Sequence, residues 1–126
     1  MPLIHVKSLP FENDVDISEV TKSISSEFSN ESEINEKQII VTWDFYMPHC
    51  FSFQGKTAKN IEESDHPVLV EFIAPDFNSV ERIQEMMKSI SRAISKNAKI
   101  TENKIFILYR SAQSGLVLDE GNIVEW

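Results

Sequence analysis

The sequence is poor in the residues that build cross-linked or metal-bound proteins. Its single cysteine, Cys50, cannot form an intramolecular disulfide, which points to a reducing compartment. The spacing of Cys50 and the three histidines, His5, His49 and His66, matches no zinc site. His49 and Cys50 are adjacent and would point apart in a strand, which argues against a Cys-His nucleophile. With only three glycines the chain lacks a glycine-rich phosphate loop, so we expect no metal and no cofactor.

Long apolar runs and positive charge are also scarce. The longest apolar stretches, residues 68–70 and 105–108, are far shorter than the roughly 20 residues that span a bilayer. The first residues lack the basic and apolar regions of a signal peptide, so we expect a cytoplasmic protein. Twelve lysines and arginines against 20 acidic residues give a net charge of −8. That balance argues against nucleic acid or an anionic membrane as partner, and leaves a small anionic substrate open.

What the sequence does contain is enough material for one globular domain. The chain has 126 residues, of which 41% are hydrophobic and 25% charged. A chain of this length buries roughly two thirds of its unfolded surface and needs no disulfide or metal to fold. We therefore treat residues 1–126 as a single domain.

The most informative feature is an internal repeat. Lys-Ser-Ile-Ser at positions 22–25 recurs at 88–91, and 12 identities arise when residues 2–44 are laid without a gap on residues 68–110. We call this shift, which carries position 22 onto position 88, the repeat offset. Ordinary composition gives roughly two or three identities by chance. Coincidence between two similar helices is the alternative, but the register also holds through the flanking segments. We infer two related units, with residues 57–66 as a polar connector.

Each unit has the pattern strand, helix, strand. Short apolar segments predict strands at 3–8 and 68–73, and β-branched and aromatic residues predict strands at 38–46 and 104–110. Helical spacing of apolar residues predicts helices at 16–29 and 79–96, with Ser79 as an N-cap. Residues 45–56 predict an aromatic hairpin or loop, and the C-terminus a hairpin turning at 119–122.

These elements define the fold class. Each strand, helix and parallel strand forms a right-handed crossover, so the chain is predicted to be α/β (α+β), with two tandem βαβ units related by a pseudo-twofold axis. A four-stranded sheet would carry both helices on one face, with short hairpin strands added. Alternation places Ile105, Ile107 and Tyr109 on one side of their strand and Phe106 and Leu108 on the other.

Apolar residues on both faces of the sheet indicate an assembly. Two helices cover only one face of a four-stranded sheet, so the other face would expose a large apolar patch. A homo-oligomer in which the sheets pack together would bury it. The alternative is that connectors and termini fold over that face.

A Met-Pro start followed by two βαβ units resembles the tautomerase superfamily, and the duplicated form resembles its macrophage migration inhibitory factor branch. Pro67-Val-Leu-Val-Glu71 and Leu118-Asp119 are similar to segments of a bacterial tautomerase-like family of unknown function. The resemblance covers nearly the whole chain. It implies a homotrimer with sites between subunits.

The chemistry that this resemblance implies depends on Pro2. If Met1 is removed, Pro2 carries a free secondary amine, and an α-amino group titrates near 7.7–8.0 in model peptides. Burial would lower that pKa, which makes the neutral amine a usable general base. If Met1 stays, the nitrogen is an amide without basicity. Proline at a strand start also has a plain structural explanation.

Other candidate site residues are less specific. The positions where characterised relatives carry an arginine, a lysine, a tyrosine and an asparagine differ here, which puts their substrate range in doubt. The cations expected near strand ends are Lys7, Lys56 and Arg110. Lys7 and Arg110 are the candidates to bind a substrate carboxylate, Arg110 through a bidentate contact. Phe51 is a candidate pocket wall. Each also has a plain explanation, as a solvated or interface cation or an ordinary hydrophobic contact.

The leading hypothesis is a tautomerase-like enzyme that moves a proton within a small enolisable oxo acid, with Pro2 as base. The main alternative is a non-catalytic homo-oligomer of the same fold with a binding or structural role. A hydratase or dehalogenase relative, which would share the requirement for Pro2, is a third reading.

Overall fold

The computed structural model describes residues 1–126, and its centre is one mixed sheet. The sheet strands are β1 (Leu3–Ser8), β2 (Ile40–Phe45), β5 (Val68–Pro75) and β6 (Ile105–Ala112). Their order is β2-β1-β5-β6, with β2 parallel to β1, β6 parallel to β5, and β1 antiparallel to β5. Two small hairpins are formed by β3 (Ser52–Phe53) with β4 (Lys56–Thr57), and by β7 (Val117–Asp119) with β8 (Asn122–Val124).

The sheet register confirms the predicted pseudo-twofold relation between the two units. Leu3 pairs with Ile40 in the first unit, and Leu69 pairs with Phe106 in the second, so the repeat offset carries both partners of one pair onto the other. Where β1 meets β5, His5 lies opposite Glu71. The offset maps this pair onto itself, so the pseudo-twofold axis passes between these two residues.

The two helices begin differently and end alike. α1 (Ile17–Ser32) starts after Asp16, which accepts a hydrogen bond from the backbone N–H of Glu19 at 3.2 Å. α2 (Val80–Ala98) starts after Ser79, as predicted, and is one turn longer at its N-terminus. Both end at a left-handed residue, Glu33 and Lys99, and the repeat offset again relates these positions. Neither helix has the length and apolar character needed to cross a bilayer.

Both helices pack on the same face of the sheet, as predicted. The core lies between them and consists of fully buried side chains from the strands and helices. At its centre Phe28 of α1 meets Phe72 of β5 edge to face, with ring centroids 5.9 Å apart. The connector also contributes, because Ala58 and Ile61 within residues 57–66 are buried. Two residues of this polar connector therefore belong to the core.

The opposite face of the sheet, which we call the open face, carries no layer of its own. Ile40, Phe106 and Leu108 on this face are 53%, 45% and 45% exposed. Leu3, Leu69 and Ile73 alternate with the buried residues of β1 and β5 and are half-buried. The strands are thus apolar on both faces, and the hairpins and connector leave these side chains accessible.

Candidate functional site

Pro2 lies immediately before β1, on the side of the sheet that the helices cover. Its side chain is buried, in phase with Ile4 and Val6. Its carbonyl oxygen accepts a hydrogen bond from the backbone N–H of Ile40 at 3.0 Å, which ties the start of β1 to β2. The backbone at Pro2 is therefore fixed by sheet pairing.

Lys7 and Arg110 both lie on the open face, and each contacts a carboxylate. The Lys7 ammonium is 4.0 Å from Asp44 and 4.6 Å from the centroid of the Tyr46 ring. Nε of Arg110 is 3.0 Å from a carboxylate oxygen of Glu71. All four charged side chains are more than one third exposed, so each ion pair contributes at most about 1 kcal/mol.

A cleft of about 260 Å³ on the open face is lined by both cations. Its polar lining is His5, Lys7, Glu71 and Arg110, and its apolar walls include Leu69, Phe106 and Leu108. Nδ1 of His5 is 2.5 Å from the hydroxyl oxygen of Thr42. Apolar walls with a few converging polar groups are typical of small-molecule sites.

Sequence reasoning missed His5 and Glu71 as members of this cleft. The signal was present, because His5 alternates with the buried Ile4 and Val6, and Glu71 with Val70 and Phe72. That alternation places both side chains on the face that the helices leave uncovered.

Phe51 does not line the cleft. Its ring centroid is 5.3 Å from that of Tyr46, and the side chain packs against the core. Tyr46 does line the cleft, beneath Lys7. The structure thus places Phe51 behind the wall of the cleft, where it supports the orientation of Tyr46.

Pro2 is distant from the cleft within one chain. Pro2 and Lys7 lie at opposite ends of β1, and five residues of extended strand span about 17 Å. Arg110 lies in the same row of the sheet as Leu3, two strands away. Its side chain is on the open face, whereas Pro2 is on the face that the helices cover. Lys7 and Arg110 therefore line one cleft from different rows of the sheet, and Pro2 lies on the other side of the sheet.

The histidine and cysteine side chains outside the cleft do not form a metal site. No three histidine, cysteine, aspartate or glutamate side chains are arranged to hold a metal ion. Nδ1 of His49 is 2.9 Å from the hydroxyl oxygen of Thr57, and the Cys50 thiol is exposed.

Comparison with known proteins finds matches among solved structures alone; no family model and no curated protein matches the sequence. Pt0534, in a crystal structure described as inactivated by 2-oxo-3-pentynoate, superposes with a TM-score of 0.81 at 7% identity, covering 97% of this chain and 95% of that one. A fused 4-OT symmetric trimer gives 0.80 at 11%, covering 97% and 94%. A macrophage migration inhibitory factor homologue from Prochlorococcus marinus gives 0.74 at 20%, covering 97% and 98%. The chain therefore has the tautomerase fold that these structures share, as the internal repeat and the Met-Pro start predicted.

Proposed function

We propose that the protein is a tautomerase-like enzyme that moves a proton within a small enolisable 2-oxo acid, with Pro2 as the base once Met1 is removed. The observation that supports this most directly is the position of Pro2. It is buried at the start of β1, and its carbonyl is held by the Ile40 N–H. A secondary amine at that position would be fixed in direction and shielded from water.

The base must be a free amine. An α-amino group titrates near 7.7–8.0 in model peptides, and burial disfavours the charged form of an amine. At pH 7 a large share of such an amine is neutral and can accept a proton from carbon. With Met1 attached the same nitrogen is an amide, whose lone pair is delocalised into the carbonyl group.

The substrate class follows from one fold neighbour and from the charge of the cleft. Pt0534 is described as inactivated by 2-oxo-3-pentynoate, which is a 2-oxo acid. A 2-oxo acid presents a carboxylate, and Lys7 and Arg110 are the cations that line the cleft. Their present contacts with Asp44 and Glu71 are exposed and weak, so a substrate carboxylate can compete for them.

A homotrimer would join the two halves of this site. Within one chain Pro2 and the cleft lie on opposite faces of the sheet, so a site that contains both needs a second copy to supply the cations. The apolar open face gives copies a reason to associate, and the fused 4-OT neighbours are described as trimers. The trimer number is carried over from these neighbours.

The experiment compares two forms of the protein in the ketonisation of the phenylpyruvate enol, followed by the loss of enol absorbance. One form has a free Pro2 amine and the other retains Met1. We expect the free form to exceed the buffer rate, with a rate that rises with pH as the amine loses its proton, and the Met1-retaining form to match buffer. Equal rates for both forms would exclude Pro2 as the base.

Two variants refine the test. Pro2→Ala keeps a primary, more mobile amine, so its activity should fall without vanishing. Arg110→Ala should weaken substrate binding by about 1.5–3 kcal/mol if Arg110 contacts the carboxylate. An unchanged KM in Arg110→Ala would remove Arg110 from the site while leaving Pro2 in the mechanism.

A non-catalytic oligomer of the same fold is the second candidate. It is favoured by the ion pairs of the open face, where each cation already faces a carboxylate of the same chain. This reading predicts no activity from either N-terminal form across several enol acids. Assembly would then persist unchanged when Met1 is retained.

A further inference from the structure

The two repeats differ in the groove between the outer strand of the sheet and its helix. In the first repeat the Phe11 ring closes this groove, with its centroid 5.7 Å from that of Trp43 and 6.0 Å from that of Phe45. The repeat offset assigns Tyr109 as the counterpart of Trp43 and Ser111 as the counterpart of Phe45. The second repeat therefore has a much smaller side chain at one wall.

The counterpart of Phe11 is also turned away in the second repeat. Phe77 is 66% exposed and meets Trp126 edge to face, with ring centroids 6.0 Å apart. Residues 76–79 link β5 to α2, against residues 9–16 in the first repeat, so the chain takes a different path at Phe77. The Asp76 N–H donates to the carbonyl of Ala112 at 2.9 Å, which holds the loop in this path.

The result is an open groove of about 440 Å³ beside β6. Ile83 and Met87 of α2 form an apolar floor, together with the Tyr109 ring. The polar groups are Asp76, Asn78, Gln84 and Ser111, and no lysine or arginine lines the groove.

Asp76 supplies the groove's negative charge. One of its carboxylate oxygens accepts a hydrogen bond from the Trp126 indole N–H at 2.8 Å, so the other oxygen can serve a ligand. Burial, and to a lesser degree the charge of Asp76, raises the pKa of Tyr109. The phenol is therefore neutral at pH 7, and the charge of Asp76 is felt within the groove.

We propose that this groove is a binding site for an arylalkylamine, a phenyl-sized apolar group joined to an ammonium. The phenyl group of the ligand is indicated by the internal repeat, because the chain fills the equivalent groove of the first repeat with the ring of Phe11. The ammonium is indicated by charge complementarity, because the only charged group in the groove is a carboxylate. The site is independent of Pro2 and of the proposed reaction.

The test is a titration of ¹⁵N-labelled full-length protein with phenethylamine, read from the indole N–H resonance of Trp126. The chain has two tryptophans, and Trp126→Phe assigns the two peaks. We expect a saturable shift of the Trp126 peak with a Kd on the order of 1 mM, as befits a ligand of this size. 3-Phenylpropanoate, which has the same ring and the opposite charge, should leave the peak in place.

Three variants make the test specific. Asp76→Asn keeps an oxygen for the Trp126 indole but loses the charge, and should weaken binding about tenfold or more. Ser111→Phe introduces the phenylalanine that the first repeat has at the equivalent position, Phe45. It should abolish binding by filling the groove. Asp14→Asn removes one negative charge from the other repeat and should leave the Kd unchanged.

Three results would overturn the proposal. The first is the absence of a saturable shift with phenethylamine in the native protein. The second is equal affinity for phenethylamine and 3-phenylpropanoate. The third is unchanged binding in Asp76→Asn, or equal weakening in Asp76→Asn and Asp14→Asn, which would indicate general attraction of cations to a chain of net charge −8.

Discussion

Pro2 shows how far a single residue can be interpreted from sequence. Its identity and its place before an apolar strand were visible, and they gave the hypothesis of an N-terminal base. Its burial and the hydrogen bond from Ile40 depend on the pairing of β1 with β2, which joins residues far apart in the chain. Local sequence carries no information on that contact, so the fixed backbone at Pro2 emerged from the structure.

Glu31 belongs to an acidic segment, residues 27–36, which is a composition typical of a solvated helix end. In the structure Glu27 and Glu31 of α1 reach across to α2, where Lys96 is 2.7 Å from Glu27 and Arg92 is 2.9 Å from Glu31. The neighbouring side chains of Ser89 and Arg92 hold the pKa of the Glu31 carboxyl group below its usual range. These contacts link the two repeats.

The lowered pKa of Glu31 predicts a pH-dependent contribution to stability. A carboxyl group whose pKa is depressed on folding stabilises the protein above its unfolded-state pKa of about 4.3, and this is lost as the pH falls through the folded-state pKa. Glu31→Gln should therefore lower the free energy of unfolding at pH 7 by up to about 1 kcal/mol, since the pair is half exposed.

Urea denaturation at pH 7 and again well below pH 4 measures this difference. The gap between native protein and Glu31→Gln should close at the lower pH, where the native carboxyl group is also protonated. Glu12→Gln, at an exposed position, serves as the matched control and should show no gap at either pH. A gap of equal size at both pH values would assign the effect to packing.

At the scale of elements, the repeat made most of the fold predictable. An ungapped match predicts element order and register together. The strands, the C-terminal ends of the helices and the 3₁₀ turns recur at the repeat offset, the turns being Glu36–Gln38 and Glu102–Lys104. The match could not show where the repeats diverge. α2 starts earlier and Phe77 turns outward, and such loop conformations are set by contacts that periodicity does not encode.

The contrast between Phe28 and Phe77 tests the packing of helix on sheet. Phe28 is fully buried against Phe72, whereas Phe77 is 66% exposed. Phe28→Ala should lower the free energy of unfolding by about 3–5 kcal/mol, because it leaves a cavity in the core. Phe77→Ala should change it by no more than about 0.5 kcal/mol. Urea melts at equal protein concentration compare them, and similar losses would contradict the assigned core.

At the scale of the whole molecule, the candidate site was predictable in part. Alternation along the strands explains why Lys7 and Arg110 share the open face. The same alternation places His5 and Glu71 on that face. The contacts of Arg110 with Glu71 and of Lys7 with Asp44 depend on side-chain directions that alternation leaves open. The separation of Pro2 from the cleft follows from which face the helices cover, and the proposed site therefore combines residues of two copies.

The exposed apolar strands and the divided site both require that further copies bury the open face. Leu108, which is 45% exposed and lies beside Glu71 in the sheet register, is the position at which to test it. A glutamate there would place a second carboxylate beside Glu71 on the surface that has to lose water. Ser26→Glu, on the exposed side of α1, adds the same charge elsewhere.

Light scattering coupled to size exclusion at micromolar concentration measures the outcome as a molar mass. The native protein and Ser26→Glu should have three times the 14.5 kDa chain mass, and Leu108→Glu should have the mass of one chain. A dimer would contradict the trimer number carried over from the fold neighbours. A native protein that is monomeric under these conditions would contradict burial of the open face by further copies.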